Sequence, residues 1–249
     1  MKIVAIIPAR YGSKRFPGKP LANIAGRPMI QHVYERARQS PKLNEVYVAT
    51  DDERIRACVE AFGGAVVMTS ADHASGTDRV YEAAIALGLR DEDIIVNIQG
   101  DQPLFPPTLV DLLVMPLEQD PHMVMSTLRF PIKDPQEASN PNHVKVVTDH
   151  KGFALYFSRS PIPYYREGGG IFHYYKHLGV YAYRMEFLGK FTALPQGPLE
   201  RAEKLEQLRA LEHGFAIKVV DSPFNSTEVD VEADIAHVEE LLQSANVPW

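Results

Sequence analysis

Four cations fall close together near the start of the chain: Arg10, Lys14, Arg15 and Lys19, set among Gly12, Pro17, Gly18 and Pro20. The stretch IIPARYGSKRFPGKPL follows a short apolar run. Backbone N–H groups near Gly12 can approach phosphate oxygens, and Arg10, Arg15 and Lys19 can neutralise them. This is not a Walker A loop. Gly12 and Gly18 are one residue too far apart, and Pro20 stands where that motif has a magnesium-binding hydroxyl. No G-x-G-x-x-G occurs either, so dinucleotide binding loses its main support. The plain alternative is a solvated basic loop, since exposed lysines are common.

Other chemistry-bearing residues lie farther along. Asp101, in NIQGDQP, follows a strand end. A carboxylate there can bind a divalent metal through oxygen, or it can form an ordinary turn. Asp230, in STEVDVEADI, is either a second such carboxylate or the N-cap of the last helix. The loop SADHASGTDR offers Ser75, Gly76 and Arg79, which could clasp a base or ribose or cap the next helix. His73 has no partner at metal-ligand spacing. Arg159, His177 and Tyr181 flank apolar strands, where each could be a core-edge residue satisfied locally. Glu206 and Gln207 fall off a leucine stripe, which reads as a solvated face.

The composition narrows what such residues can serve. The chain has 249 residues, 45% hydrophobic and 23% charged, with net charge −6. A duplex-binding protein usually carries a basic surplus; an acidic chain with one basic loop suits a small anionic ligand. One cysteine, Cys58, excludes a disulfide within the chain and is expected as a buried small side chain. The apolar run from Ile3 to Ile7 is too short for a signal peptide, and no apolar stretch reaches membrane-spanning length. A cytoplasmic location is expected. Asn225-Ser226-Thr227 matches a glycosylation sequon that is read as chance.

The elements that must position these residues alternate over the first hundred positions. KIVAII, VYVAT, AVVM and DIIVNIQ read as buried strands. Between them, residues 28–39, DDERIRACVEAFGG and the region from Val80 to Leu87 read as helices. The pattern predicts an α/β fold, a Rossmann-like and mainly parallel sheet flanked by helices, whose ligands bind at the carboxyl ends of the strands. After about Glu118 the pattern changes. MVMSTLRF, HVKVVTD, FALYFSR and HLGVYAYR follow one another as strands, separated by turns that include Gly168 to Gly170. This predicts antiparallel pairing in a smaller lobe, about 120–185, inserted in the main domain. PLERAEKLEQLRALEHG reads as a single helix with Leu199, Ala202, Leu205, Leu208 and Leu211 on one stripe. FAIKVV returns to the sheet, and VEADIAHVEELLQSA closes the chain as a helix.

Taken in order, IPARYGSKRFPGKPL, ATDDERI, SGTDR, NIQGDQP, NPNHVKVV, ALYFSRSPIP, KHLGVYAY, AEKLEQLR and EVDVEADI resemble the 3-deoxy-manno-octulosonate (Kdo) cytidylyltransferases, or CMP-Kdo synthetases. The resemblance covers essentially the whole chain. It implies a nucleotide-diphospho-sugar transferase fold, and a reaction of CTP with Kdo giving CMP-Kdo and diphosphate for lipopolysaccharide synthesis. It also implies Mg2+ as cofactor and a homodimer involving the smaller lobe. By the same resemblance Arg10, Arg15 and Lys19 contact triphosphate, and Asp101 and Asp230 hold the metal; these five form the catalytic set. Pro8, Ala9, Arg10, Gly12, Lys19, Ser75, Gly76, Gln99 and Asp101 are the implied nucleotide contacts. Arg159, His177, Tyr181, Glu206 and Gln207 are the implied sugar contacts. Two departures stand out. Gln102 occupies a position where the family often has Glu, and the segment YYREGGGIFHYYKHLG is glycine-rich. Some relatives activate 8-amino-Kdo, which is the alternative substrate. A non-catalytic nucleotide sensor is the alternative of another class, and a P-loop hydrolase is disfavoured by the loop spacing and Pro20.

Overall fold

The computed structural model describes residues 1–12, 16–166 and 173–244. Its backbone divides into two compact units, Met1–Asp111 with Ser226–Trp249, and Leu112–Asn225. The lobe expected at about 120–185 falls inside the second range.

In the first unit, Ile3–Ala9 forms β1, and Val4 to Ile7 are fully buried. A short 3-10 turn, Lys19–Leu21, leads to a hairpin of β2 (Asn23–Ile24) and β3 (Arg27–Pro28). Then come α1 (Met29–Ala37), β4 (Glu45–Thr50), α2 (Glu53–Ala61), β5 (Val66–Met68), α3 (Gly76–Ala86) and β6 (Ile94–Asn97). The strands pair in parallel in the order β6-β1-β4-β5. Continuous apolar runs in β1 and β6 match a sheet covered on both sides. The chain winds outward from β1 through β4 to β5, then returns to lay β6 on the other side of β1. That reversal leaves a crevice at the carboxyl end of β1, where open α/β sheets bind ligands.

Helix α4 (Thr108–Gln119) spans the sequence boundary between the units and contains Pro116. The second unit continues with β7 (Met125–Pro131), α5 (Pro135–Ala138), β8 (Lys145–Thr148), β9 (Ala154–Ser158) and β10 (Tyr175–Arg184). It ends with α6 (Met185–Ala193), α7 (Pro198–Glu203), α8 (Leu208–Glu212) and β11 (Lys218–Asp221). Strand β7 pairs antiparallel with β10 and parallel with β11. β8 pairs antiparallel with both β10 and β9. The chain then closes the first unit with α9 (Asp234–Gln243). Val238 of α9 joins Ile24, Met29, Leu104 and Val229 in one buried cluster.

Several expectations need correction. The helix read near Val80 begins at Gly76, because Ser75 and Asp78 form a capping box. The single helix expected over PLERAEKLEQLRALEHG is two short ones, broken where Lys204 adopts a left-handed φ of 54°. The cause is Glu200, which grips Arg209 through bonds of 2.8 and 2.6 Å, both side chains being buried. In a straight helix those positions would point about 180° apart. The break lets them meet, and it leaves Leu199 exposed rather than on a buried stripe. Gln207 is buried, not on a solvated face, and Glu206 is part-buried. Cys58 is part-buried, with desolvation raising its thiol pKa. The glycine run Gly168 to Gly170 lies outside the described residues.

Candidate active site

The crevice at the end of β1 is a cleft of about 510 Å³, lined by Pro8, Ala9, Arg10, Gly12, Lys19, Pro20, Gly76, Arg79, Gln99, Gly100 and Asp101. Three segments meet there: the exit of β1, the turn after β6 and the first turn of α3. Gly100 allows this convergence, since a Cβ at that position would stand 3.0 Å from the Pro8 carbonyl oxygen. The basic loop is closed at its base. Gly18, at φ 73°, donates its N–H to the Tyr11 carbonyl at 2.9 Å, bringing the chain back beside its own start. Tyr11 in turn carries the Arg54 guanidinium 3.3 Å above its ring, and Arg54 is anchored through a two-pronged bond to Asp52. Arg15 lies outside the described residues.

Lys19 links the loop to the far end of the chain. Its Nζ donates to Asp101 Oδ2 at 2.6 Å and to the Val229 carbonyl at 2.9 Å. The Val229 N–H donates to the Asp101 carbonyl at 2.9 Å, and Leu104 bridges Thr227. The segment carrying Asp230 therefore runs beside the segment carrying Asp101. Asp230 does not cap α9: Ala233 holds that place, and Asp234 Oδ2 accepts from the N–H groups of Asp230 and Val231. Asp101 and Asp230 offer only oxygen donors. No group of three His, Cys, Asp or Glu able to hold a metal forms among the described residues. Two carboxylates suit magnesium, which commonly takes one or two of them and completes its shell with substrate phosphates and water.

At the head of α3 the hydroxyl of Ser75 accepts from the Asp78 N–H at 3.1 Å and donates to Asp78 Oδ2 at 2.9 Å, so this side chain serves the helix. Gly76 begins α3 at the cleft wall, where a helix N-terminus favours an anion. Gly100 and Pro20 also line the cleft and were not among the expected contacts; Arg79, offered by its loop as a possible base or ribose contact, lines it too. Arg79 is buried, donates to Thr69 Oγ1 at 2.5 Å and lies 3.1 Å from Asp51. Burial pushes its pKa down, though the nearby Asp51 charge works against that shift. The SGTDR motif carried this signal once Gly76 is taken as the start of a helix. Gln102 is buried and donates to Glu228 Oε1 at 3.4 Å.

The other expected set falls in the second unit, Leu112–Asn225. His177 is buried in β10, its ring centroid 5.3 Å from that of Tyr181 and 5.0 Å from that of Phe157. Thr127 donates its hydroxyl to the Val180 carbonyl at 2.7 Å, so the 2.9 Å contact with His177 Nε2 must be donated by the imidazole. Burial holds the pKa of His177 down at about 3, helped by the charge of Lys176. The ring is neutral, with its proton on Nε2. Burial also raises Tyr181 well above the usual phenol range, and the charge of Glu206 adds to this. Glu206 lies 3.6 Å from Arg209. Arg159, at the end of β9, donates from Nε to the Glu203 carbonyl at 2.8 Å and from Nη1 to the Pro141 carbonyl at 2.9 Å.

Comparison with known proteins identifies the family. Residues 4–220 match the cytidylyltransferase family. A 3-deoxy-manno-octulosonate cytidylyltransferase of Desulfatibacillum aliphaticivorans is 57% identical over 243 residues, 98% of this chain and 99% of its own. An 8-amino-3,8-dideoxy-manno-octulosonate cytidylyltransferase of Shewanella baltica (strain OS195) is 55% identical over 243 residues, covering 97% of this chain and 99% of its own. The solved structure of a CMP:2-keto-3-deoxy-manno-octonic acid synthetase complexed with CTP superposes with a TM-score of 0.91 at 46% identity, over 97% of this chain and 98% of the other. The chain belongs to the cytidylyltransferase family, within the 3-deoxy-manno-octulosonate cytidylyltransferase (CMP-Kdo synthetase) group.

Proposed function

We propose that this enzyme transfers the CMP group of CTP to Kdo, forming CMP-Kdo and diphosphate for lipopolysaccharide synthesis, with Mg2+ as cofactor. The observation that carries the reading is the cleft in which Lys19 bridges Asp101 and the Val229 carbonyl, one residue from Asp230. In this reaction the anomeric hydroxyl of the sugar attacks the α-phosphorus as the bond to diphosphate breaks. Positioning and charge neutralisation supply most of the catalysis in such transfers. Arg10, Arg15 and Lys19 grip the triphosphate and offset the charge of the departing diphosphate. Pro8, Ala9, Gly12, Ser75, Gly76 and Gln99 hold the nucleotide, Ser75 through its main chain because its hydroxyl is engaged in the cap. Asp101 and Asp230 hold the magnesium, which when bound polarises the α-phosphate and lowers the pKa of the attacking hydroxyl.

The proposal extends to the second unit. Arg159 takes the sugar carboxylate, because its planar fork matches two oxygens. His177, Tyr181, Glu206 and Gln207 take sugar hydroxyls. A neutral His177 cannot be the general base that its type alone suggests, since its remaining nitrogen is too weakly basic near neutral pH. A cytoplasmic homodimer completes the reading, carried by the family resemblance. Among the described residues no helix is long and apolar enough to cross a membrane.

The 8-amino sugar is the second reading, supported by the Shewanella relative at 55% identity. Diphosphate release from CTP and magnesium, measured side by side with Kdo, 8-amino-Kdo and sialic acid, separates the two. Release fastest with Kdo is expected. A clear preference for 8-amino-Kdo would move the assignment to that substrate, and CTP binding without release with any of the three would leave a nucleotide sensor.

A further inference from the structure

Lys145 is a lysine with no exposed surface. Among the described residues it makes no ion pair. Its Nζ donates instead to three backbone carbonyls: Asn140 at 3.0 Å, His143 at 2.6 Å and Arg159 at 2.5 Å. A buried ammonium is costly unless every proton is engaged, and here each of its three protons has a carbonyl. The partners are not arbitrary. Two of them bracket Pro141, whose carbonyl accepts from Arg159 Nη1 at 2.9 Å, and the third belongs to Arg159 itself.

Glu203 closes the same network from the other side. Its carboxylate accepts from the Ser158 hydroxyl at 2.6 Å and the Arg159 N–H at 2.9 Å, while its carbonyl accepts from Arg159 Nε at 2.8 Å. Lys145 stands opposite Ser158 in the β8–β9 register, so the sheet sets the spacing of the two anchors. Both backbone ends of Arg159 and two nitrogens of its guanidinium are thereby fixed. Nη2 carries no hydrogen bond among the described residues, which leaves its two protons for an anion. Burial lowers the pKa of Lys145, and the charge of Arg159 adds to the shift, so two cations stand close together here.

We propose that Lys145 and Glu203 are positioning residues that preset the Arg159 guanidinium for the carboxylate of the acidic sugar. This rests on the reading of Arg159 as the carboxylate partner. Holding the fork in place before binding removes the ordering cost from the sugar step and leaves nucleotide binding alone. The two residues therefore act on the sugar KM and not on the CTP KM.

The test is a double-variant series on the full chain, with Kdo as the sugar and diphosphate release as the readout. Lys145→Met and Glu203→Gln should each raise the sugar KM about tenfold while the CTP KM stays within about twofold. Adding Arg159→Ala to either should give no rise beyond that of Arg159→Ala alone, because the pair acts through that side chain. If Lys145→Met yields no folded protein, Glu203→Gln decides. An unchanged sugar KM in a folded variant overturns the proposal, as does an equal rise in both KM values or an effect that multiplies with Arg159→Ala. Should Arg159→Ala itself leave the sugar KM unchanged, the sugar-site reading of Arg159 fails first.

Discussion

The first unit builds its site from the ends of parallel strands. Pro8 to Arg10, Gln99 to Asp101 and the head of α3 converge because the chain reverses direction at β1, and a glycine at position 100 lets two backbones approach. The second unit has no such crevice rule to follow. Its expected site residues hang on β9, β10 and the α7–α8 break. Buried Thr127 holds His177, buried Lys145 and part-buried Glu203 hold Arg159, and the buried Glu200–Arg209 pair holds the break itself. A site made by topology tolerates many side chains and needs a few charges. A site made by a buried network depends on each member, because a group left unpaired in a low-dielectric interior carries its full desolvation cost.

That contrast can be broken at its strongest points first. Asp101→Ala should lower turnover by about 10³-fold without loss of fold, since the first unit keeps its sheet when one strand-end charge goes. Near-normal diphosphate release would remove Asp101 from the catalytic set. In the second unit, Arg209→Met should instead destabilise the protein by about 3 kcal/mol, because Glu200 is left buried without its partner. Urea unfolding measures this, and a midpoint like that of the parent would show that the α7–α8 break does not need the pair.

A smaller effect comes from His177. Its folded pKa, about 3, lies below the 6.5 of an unfolded chain, so the unfolded state takes up the proton first on acidification. The stability this group contributes is intact above pH 6.5 and is lost as pH falls towards 3. Between pH 8 and pH 5 the loss amounts to about 2 kcal/mol. His177→Asn should flatten the fall in melting temperature over that range; an unchanged slope would place the acid sensitivity elsewhere. The mildest change is Ser75→Ala, which removes the α3 cap and should cost about 1 kcal/mol of stability. The CTP KM should barely move, and a large rise would give the Ser75 hydroxyl a role beyond the cap.

The legible parts of the molecule were those governed by local rules. The buried strands β1, β4 and β6 announce themselves as short β-branched runs, and the charged loops after β1 and β6 fall where parallel sheets bind ligands. Helices α4 and α6 were not anticipated. Pro116 sits inside α4, and α6 follows β10 without an intervening turn signal. The split between α7 and α8 was hidden because leucine spacing reports a stripe, while the buried Glu200–Arg209 pair that overrides it joins residues on opposite sides of that stripe.

For the site the same division holds. Residue type and order were enough to single out Arg10, Lys19 and Asp101 as candidates at strand ends, where the structure puts all three on one cleft, and to separate this loop from a Walker A motif. Sequence left Asp230 balanced between a helix cap and a carboxylate beside Asp101. The structure removes the cap, since Ala233 stands at the head of α9, and the 2.9 Å bond from the Val229 N–H to the Asp101 carbonyl brings the two backbone segments side by side. Tertiary packing likewise made His177, open between a core-edge residue and a sugar contact, a buried neutral ring, and Lys145, one lysine among many, an anchor for the Arg159 carbonyl. Local sequence sets the chemistry each side chain can offer. Burial and partners distant along the chain set which charge it carries and what it holds, and those are properties of the folded packing alone.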